Sequence, residues 1–166
     1  MCLITRQAFV MTRDEWAESC GSVLARAGVK HFHALEMADV GRETSSPVAS
    51  LEAPSLDLMP HFILLSRILA DVRAAVRVTP VLVNSWYRDA EYNRRIGGVE
   101  NSMHMTGGAA DIVKIGLTPT EVADILERHP DADKFGIGRY KTFTHIDIRG
   151  MIPSPGWIGR RPAARW

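Results

Sequence analysis

The sequence predicts a single α+β domain in which helices flank a mainly antiparallel sheet. Helical patterns occupy the first half of the chain, whereas short β-branched stretches bounded by turn residues occupy much of the second half. With 166 residues, the chain can bury one hydrophobic core but is short for two domains. We therefore expect one domain over 1–166, with an N-terminal helix and loop (1–58), a core (59–150) and a C-terminal tail (151–166).

Helix signals are clearest in the first half of the chain. Thr12 followed by Glu15 is a capping-box pattern that opens an amphipathic helix, and Gly28 can end it. The polar, proline-bearing segment 41–58 has no periodicity, which indicates a loop. Pro60 is tolerated in the first turn of a second helix, whose apolar residues on most sides predict burial.

The next stretch alternates strand and helix patterns. The apolar, β-branched run "VTPVLVNSWYR" predicts a central strand that ends near Ser85. A short helix should begin at Asp89 and end at the glycine pair that starts at Gly97. The run "AADIVKI" then predicts a second strand.

The last elements are a helix and a strand pair. Thr118 and Glu121 form a second capping-box pattern, with a first-turn proline between them, for a helix that runs to about His129. The stretches "FGIGRY" and "FTHIDIR" predict two short strands joined by a tight turn near Lys141. Together these strands predict the antiparallel part of the sheet.

The composition and charge exclude several classes of protein. Hydrophobic residues make up 46% and charged residues 23% of the chain, as is typical of a globular protein. A formal net charge of +1 gives no overall basic field, so we expect no nucleic-acid partner. No segment approaches the roughly 20 apolar residues that a membrane span requires. The opening residues lack the pattern of a signal peptide, so we expect synthesis in the cytoplasm.

The stretch "NSMHMTGGAADIV" has the composition of a metal site. It places His104 and Asp111 on either side of small residues, and Gly107 and Gly108 allow a crowded backbone turn between them. A catalytic zinc ion takes three protein ligands and leaves a position for water, and His145 could be the third. The alternative is a capped turn with a buried polar pair, which leaves the small residues unexplained.

The stretch "FTHIDIRG" carries the second polar cluster. Alternate side chains of a strand share a face, so His145, Asp147 and Arg149 should point one way. Ile146 and Ile148 should point the other way, toward the core. This pattern predicts a strand with one face on the core and the other lining a cleft.

These motifs resemble those of a known enzyme family. The stretch "SMHMTGGAAD" matches the Ser-x-His-x-x-Gly-x-Ala-x-Asp signature of the zinc D-Ala-D-Ala carboxypeptidase and L-Ala-D-Glu endopeptidase family, whose fold is shared with hedgehog signalling domains. The upstream "NSWYRDAEYNRRIGGVENS" is similar to the family's Ser-x-Tyr-Arg block. "FTHIDIRG" resembles the closing His-x-Asp motif of a branch with bacterial cell-wall hydrolases and phage proteins. Together these motifs span 81–150.

The resemblance implies a role for each matching residue. It implies that His104, Asp111 and His145 bind Zn²⁺, and that Arg88 polarises the scissile carbonyl and stabilises its oxyanion. A simple surface ion pair is the alternative for Arg88. Further residues that the resemblance places near the substrate are Ser102, Tyr87 and Tyr140.

One position departs from the family pattern. Many relatives carry a general-base Glu three residues before the last zinc-binding histidine, and here that position is Thr142. Asp147 shares the strand face of His145 and is our predicted base, because a carboxylate there can accept a proton from the attacking water. The alternative is that Asp147 hydrogen-bonds a metal ligand and supports it from outside.

The resemblance therefore implies a zinc metallopeptidase that hydrolyses a bond in the stem peptides or cross-links of bacterial peptidoglycan. We expect a monomer of carboxypeptidase or endopeptidase type, encoded by a phage, prophage or bacterium. It would reach the wall after holin release or as a virion component. The alternative, which the departure at Thr142 favours, is a catalytically silent zinc-containing module that binds peptidoglycan or serves a structural role in a virion tail.

Other polar and aromatic residues are predicted to be structural. His61 and His129 are expected to be structural or surface residues, and the pair His31 and His33 lacks an adjacent carboxylate motif. The two cysteines lack the number and spacing of a disulfide framework, so both should be reduced. Trp166 and the arginines before it are expected to fray, as chain termini usually do.

Overall fold

The computed structural model describes residues 11–38, 53–75, 80–153 and 162–166. These residues form a small domain of helices around one sheet, as the α+β prediction requires. The helices are α1 (Arg13–Arg26), α2 (Ala34–Ala38), α3 (Met59–Ala75), α4 (Ala90–Arg95) and α5 (Pro119–Glu127). The strands are β1 (Val81–Ser85), β2 (Ala109–Lys114), β3 (Gly136–Arg139), β4 (Thr144–Asp147) and β5 (Ala164–Arg165). None of the helices in these ranges is long and apolar enough to cross a membrane.

The sheet has the strand order β1-β2-β4-β3-β5. Strands β1 to β4 pair antiparallel with their neighbours, and only β5 runs parallel to β3. The prediction that β1 is a central strand was wrong, because β1 forms one edge of the sheet that the described residues build, and Leu82 on it is 39% exposed. An apolar run looks the same in sequence whether strands or helices cover it, and here α2 and α3 pack against β1.

The N-terminal helices begin as the sequence predicts. The Thr12 hydroxyl accepts a hydrogen bond from the Glu15 amide, and the Glu15 carboxylate accepts one from the Thr12 amide. Gly28 follows α1 with a φ of 78°. Helix α3 buries Phe62, whose ring meets Trp16 of α1 edge to face at 5.4 Å. These contacts form much of the core beneath the sheet.

The remaining predicted elements are also present. The Asp89 carboxylate caps α4 by accepting from the Tyr92 amide, and Thr118 and Glu121 form a capping box on α5. Helix α5 ends at Glu127, slightly before the predicted end. The segment 41–52 of the predicted loop lies outside the described residues, and the rest of it ends in a 3₁₀ turn, Leu56–Leu58.

The prediction of a frayed C-terminal tail was wrong for its last residues. Strand β5 aligns Ala164 with Gly136 of β3, and the Arg139 amide donates to the Trp166 carbonyl at 2.8 Å. The Arg165 guanidinium donates to the Phe135 carbonyl, also at 2.8 Å. The tail is ordered here because the edge of β3 offers unpaired backbone groups, which the sequence of the tail alone does not reveal.

Candidate metal centre

Three predicted ligands converge near the middle of the sheet. His104 lies on a 3₁₀ turn, Met103–Thr106, while Asp111 and His145 face each other across β2 and β4. The His145 Nδ1 atom lies 2.8 Å from Asp111 Oδ1 and 3.3 Å from His104 Nε2. The remaining separation, from His104 Nε2 to Asp111 Oδ1, is 3.4 Å. All three residues are buried.

This triangle fits a zinc ion. Zinc bonds of about 2.0–2.1 Å in a tetrahedral arrangement hold ligand atoms roughly 3.3 Å apart. The three observed separations, 2.8, 3.3 and 3.4 Å, lie near that value. Two imidazoles and one carboxylate are also a common ligand set of catalytic zinc. Within the described ranges, this is the one group of three or more His, Cys, Asp or Glu side chains that could hold a metal ion.

The turn that carries His104 is fixed by backbone contacts. The Ser102 hydroxyl caps it by accepting from the His104 amide, and Gly107 ends it with a φ of 70°. A side chain at Gly107 would also collide with the ring of Phe62, since an added Cβ would lie 2.7 Å from Phe62 Cζ. The His61 Nδ1 atom contacts the Thr106 carbonyl at 2.8 Å. The predicted role of the small residues in a crowded turn is thus confirmed for Gly107.

The imidazole of His104 is held by Trp86. The Trp86 carbonyl lies 2.6 Å from His104 Nδ1, and the Trp86 indole donates to the Gly107 carbonyl at 2.9 Å. A carbonyl can only accept, so Nδ1 must carry the proton, and Nε2 is then free to bind a metal. Burial lowers the pKa of His104 more than the nearby Asp111 raises it, which favours the neutral imidazole.

The carboxylate of Asp111 is shared between the cluster and Arg88. Its Oδ2 atom accepts from Arg88 Nη2 at 2.5 Å, while Oδ1 faces the two histidines. Arg88 Nε also donates to the Ser85 hydroxyl at 3.0 Å. With the Arg88 side chain only 16% exposed, this ion pair lies within the site and is not an exposed surface pair. Burial raises the pKa of Asp111, but the two histidines outweigh it and hold the pKa well below its usual range.

The other nitrogen of His145 contacts Asp147. His145 Nε2 lies 3.1 Å from Asp147 Oδ2, on the opposite side of the ring from Nδ1, which faces Asp111. Burial lowers the pKa of His145, but hydrogen bonds to Asp111 and Asp147 outweigh it and the net shift is upward. A carboxylate that contacts the far nitrogen of a metal-binding histidine commonly orients the ring and increases its basicity.

Asp147 is in turn held by Arg149. Arg149 Nε and Nη2 donate to the two Asp147 oxygens at 2.8 and 2.6 Å, and the Arg149 amide adds a bond of 3.1 Å. Burial raises the pKa of Asp147, but the contacts with Arg149 and His145 lower it by more than this. The net pKa is therefore below its usual range, and the carboxylate is ionised. These contacts favour the alternative in which Asp147 supports a ligand, and its role as general base stays a prediction.

The cluster opens into a cleft of about 590 Å³. Of the predicted substrate contacts, Ser102 and Tyr140 line this cleft, whereas Tyr87 is partly buried against the hydrophobic core. Phe143 and Trp166 also line it, and the Phe143 ring stacks on Tyr140 at 4.4 Å. The sequence reasoning assigned neither of these two aromatic residues to the site.

One signal in the sequence could have indicated Trp166. Gly136 and Gly138 occupy alternate positions of β3 and therefore share one face of the sheet. Glycines at such positions often mark a close approach of another group. Here an added Cβ on Gly138 would lie 2.6 Å from Trp166 Nε1, and one on Gly136 would lie 2.4 Å from Asp147 Oδ2.

Comparison with known protein families decides the relationship that the motifs suggest. The family model described as Peptidase M15 matches residues 30–147. The chain belongs to the peptidase M15 family. The predicted resemblance to zinc D-Ala-D-Ala carboxypeptidases is thereby confirmed, and the buried cluster is compatible with the zinc ion on which M15 peptidases depend. A search of curated proteins gives no match.

Proposed function

We propose that this M15 peptidase hydrolyses a peptide bond in the stem peptides or cross-links of bacterial peptidoglycan in a zinc-dependent reaction. The observation that carries the proposal is the buried triangle of His104, Asp111 and His145 at the floor of an open cleft. Family membership supports a zinc peptidase of the cell-wall type. That the substrate is a peptide bond of peptidoglycan is our further proposal, and it rests on the resemblance of the motifs.

The side chains around the cluster suit hydrolysis of an amide. A bound zinc ion supplies Lewis-acid activation of water and of the substrate carbonyl. Arg88 lies beside the cluster, held by Asp111 and Ser85, and its guanidinium would stabilise the negative charge that develops on the carbonyl oxygen. Ser102 and Tyr140 in the cleft lining would contact the peptide.

The proton acceptor must differ from that of the relatives that carry the glutamate, because Thr142 has no carboxylate. Thr142, at the position of the family's glutamate, is exposed on the turn before β4. Among the described residues, the carboxylates that line the cleft are Asp111 and Asp147. Asp111 faces both histidines, so Asp147 is our proposed base. The alternative is that Asp147 only supports His145, and its contacts with His145 and Arg149 favour this alternative.

A digest of purified peptidoglycan fragments tests the proposed activity. Muropeptides incubated with the protein and analysed by mass spectrometry should show new amino and carboxyl termini. The products should disappear with a chelator and return with added zinc. His104→Ala should abolish cleavage, whereas His31→Ala should not, because His31 is exposed and lies outside the cluster. The fragment masses would also separate carboxypeptidase from endopeptidase action.

The second candidate is a zinc-containing module without catalytic activity. The feature that favours it is the absence of an uncommitted carboxylate from the described cleft lining, since Asp111 binds Arg88 and Asp147 binds Arg149. Such a module would bind peptidoglycan or serve in a virion tail. Stoichiometric zinc with no cleavage of any muropeptide would support it. In either case, we propose that the protein meets the wall after holin release or as part of a virion.

A further inference from the structure

The C-terminal strand brings an aromatic side chain to the metal cluster. Pairing of β5 with β3 places the Trp166 ring 5.3 Å from the ring of His145, between centroids. The guanidinium carbon of Arg149 lies over the same indole, 5.0 Å from the ring centroid. Trp166 therefore contacts both a predicted zinc ligand and the arginine that holds Asp147.

The surface of the sheet leaves a space that the indole of Trp166 occupies. Gly138 lies opposite His145 in the register of β3 and β4, and its missing side chain leaves the space that Trp166 fills. The Trp166 Nε1 atom donates to the Tyr140 hydroxyl at 3.0 Å. The Trp166 carbonyl also accepts from the Arg139 amide, and the Trp166 amide donates to the Ile137 carbonyl at 3.2 Å. Both the backbone and the side chain of Trp166 are thus fixed.

We propose that Trp166 is a positioning residue for the metal centre. It holds the imidazole of His145 directly, and it holds the chain of contacts from Arg149 through Asp147 to His145 Nε2. This chain fixes the direction of Nδ1, the atom that faces His104 and Asp111. The inference rests on the proposed function only in requiring that the cluster bind zinc.

The size of the effect follows from the contacts. Residues that orient a metal ligand through a hydrogen bond typically change metal affinity about 10-fold to 100-fold. Trp166 makes no hydrogen bond to His145; it acts through ring packing on His145 and, less directly, through a cation–π contact with Arg149. We therefore expect loss of the indole to weaken zinc binding by about 3-fold to 10-fold.

The test compares zinc affinity among three substitutions at one position. Trp166→Ala removes the ring, Trp166→Leu keeps apolar volume without an aromatic face, and Trp166→Phe keeps a ring over Arg149. Zinc dissociation constants are measured by chelator competition, and the visible spectrum of Co²⁺-loaded protein reports the ligand geometry. Leu82→Ala is the control, because Leu82 is partly exposed on β1 at the opposite edge of the sheet.

The expected result is weaker zinc binding and an altered Co²⁺ spectrum for the Ala and Leu variants, with the Phe variant close to the unaltered protein. Thermal unfolding of the metal-free proteins checks the fold. If Trp166→Ala does not fold, the Leu and Phe pair decides, because both variants keep an apolar side chain of similar volume at this half-exposed position. Zinc affinity equal to that of the unaltered protein in both of these variants would overturn the proposal, whereas weaker binding in either one sustains it.

The outcomes also separate this inference from the proposed function. Weakened zinc binding in a protein that cleaves no muropeptide would sustain the role of Trp166 and overturn the peptidase. Cleavage of muropeptides with unchanged zinc affinity in every Trp166 variant would sustain the peptidase and overturn the role of Trp166. If the unaltered protein binds no zinc, both are overturned.

Discussion

Each predicted zinc ligand is oriented by a contact on its far side. His104 contacts the Trp86 carbonyl, Asp111 binds Arg88, and His145 contacts Asp147. Such contacts limit rotation of these side chains in the metal-free protein, so less side-chain entropy is lost when a metal binds. Substitution of a supporting residue should therefore change metal affinity even where the ligand itself is untouched.

Asp147→Asn separates the two roles that remain for this residue. If Asp147 supports His145, zinc affinity should fall by roughly 10-fold to 100-fold, and activity should recover in excess zinc. If Asp147 is the base, zinc content should stay near normal while the rate falls by at least about 10², because the amide cannot accept the proton. One titration of cleavage rate against added zinc distinguishes these outcomes. Full activity at every zinc concentration would exclude both roles.

Arg88→Lys should leave a folded, zinc-loaded protein that turns over slowly. A lysine ammonium keeps the charge but cannot reproduce the planar fork that now spans Asp111 and Ser85. We expect turnover to fall by on the order of 10², the effect of removing one oxyanion donor. Arg94→Lys is the matched control, because Arg94 is 74% exposed and pairs only with Glu91 in the described contacts. Equal rates for the two variants would remove Arg88 from the reaction.

At the level of elements, the turn after His104 depends on Gly107. Gly107→Ala combines a φ of 70° with a Cβ 2.7 Å from the buried Phe62 ring. The left-handed conformation and the overpacking should together lower the free energy of unfolding by about 2–4 kcal/mol, measured by denaturant unfolding. Gly21→Ala in α1 is the control, since nothing lies within 4 Å of an added Cβ there. It should be neutral or mildly stabilising, and equal losses at the two sites would contradict the argument.

Local signals explain which elements could be predicted from sequence. Thr12 and Thr118 indicate where two helices begin, because their capping hydrogen bonds involve only the next few residues. The alternation in "FTHIDIR" likewise predicts that His145 and Asp147 share a face. The edge position of β1 and the pairing of β5 could not be predicted in this way. Which strands pair depends on packing between residues that are distant in the sequence, and a local pattern carries no information about it.

The same distinction applies to the site. The convergence of His104, Asp111 and His145 was predictable because these residues lie in motifs of fixed spacing. Trp166 was not, because its place depends on β5 joining the sheet beyond the matched range 30–147. Tyr87 was placed near the substrate by its neighbours in the motif, yet its side chain packs against the core.

For the whole molecule, the buried charges predict how stability of the metal-free protein depends on pH. The pKa values of Asp111 and Asp147 are lowered in the folded state, so these groups stabilise the fold above the ordinary Asp pKa of about 3.9. That contribution is lost as the pH falls below this value, because the unfolded chain then binds more protons. The raised pKa of His145 acts in the opposite sense, and its contribution is lost as the pH rises through the folded value.

Denaturant unfolding of the metal-free protein at several pH values measures this dependence. Stability should fall between pH 4 and pH 3, and the fall should be smaller in Asp147→Asn, which has no proton to gain at that position. An unchanged acid dependence in the variant would show that Asp147 has an ordinary pKa in the folded protein. The variant Asp14→Asn is a suitable control because Asp14 is exposed on α1.

The sheet order β1-β2-β4-β3-β5 also bears on when the three residues of the buried cluster can meet during folding. Strands β3 and β4 are joined by a short turn and can pair within microseconds, whereas His145 must reach partners 34 and 41 residues earlier in the chain. We expect closure of that longer loop to be the slower event, so that His104, Asp111 and His145 meet after the hairpin docks on β2. Bound zinc should therefore slow unfolding and leave the folding rate almost unchanged, because the contacts that it would stabilise form after the rate-limiting step of folding.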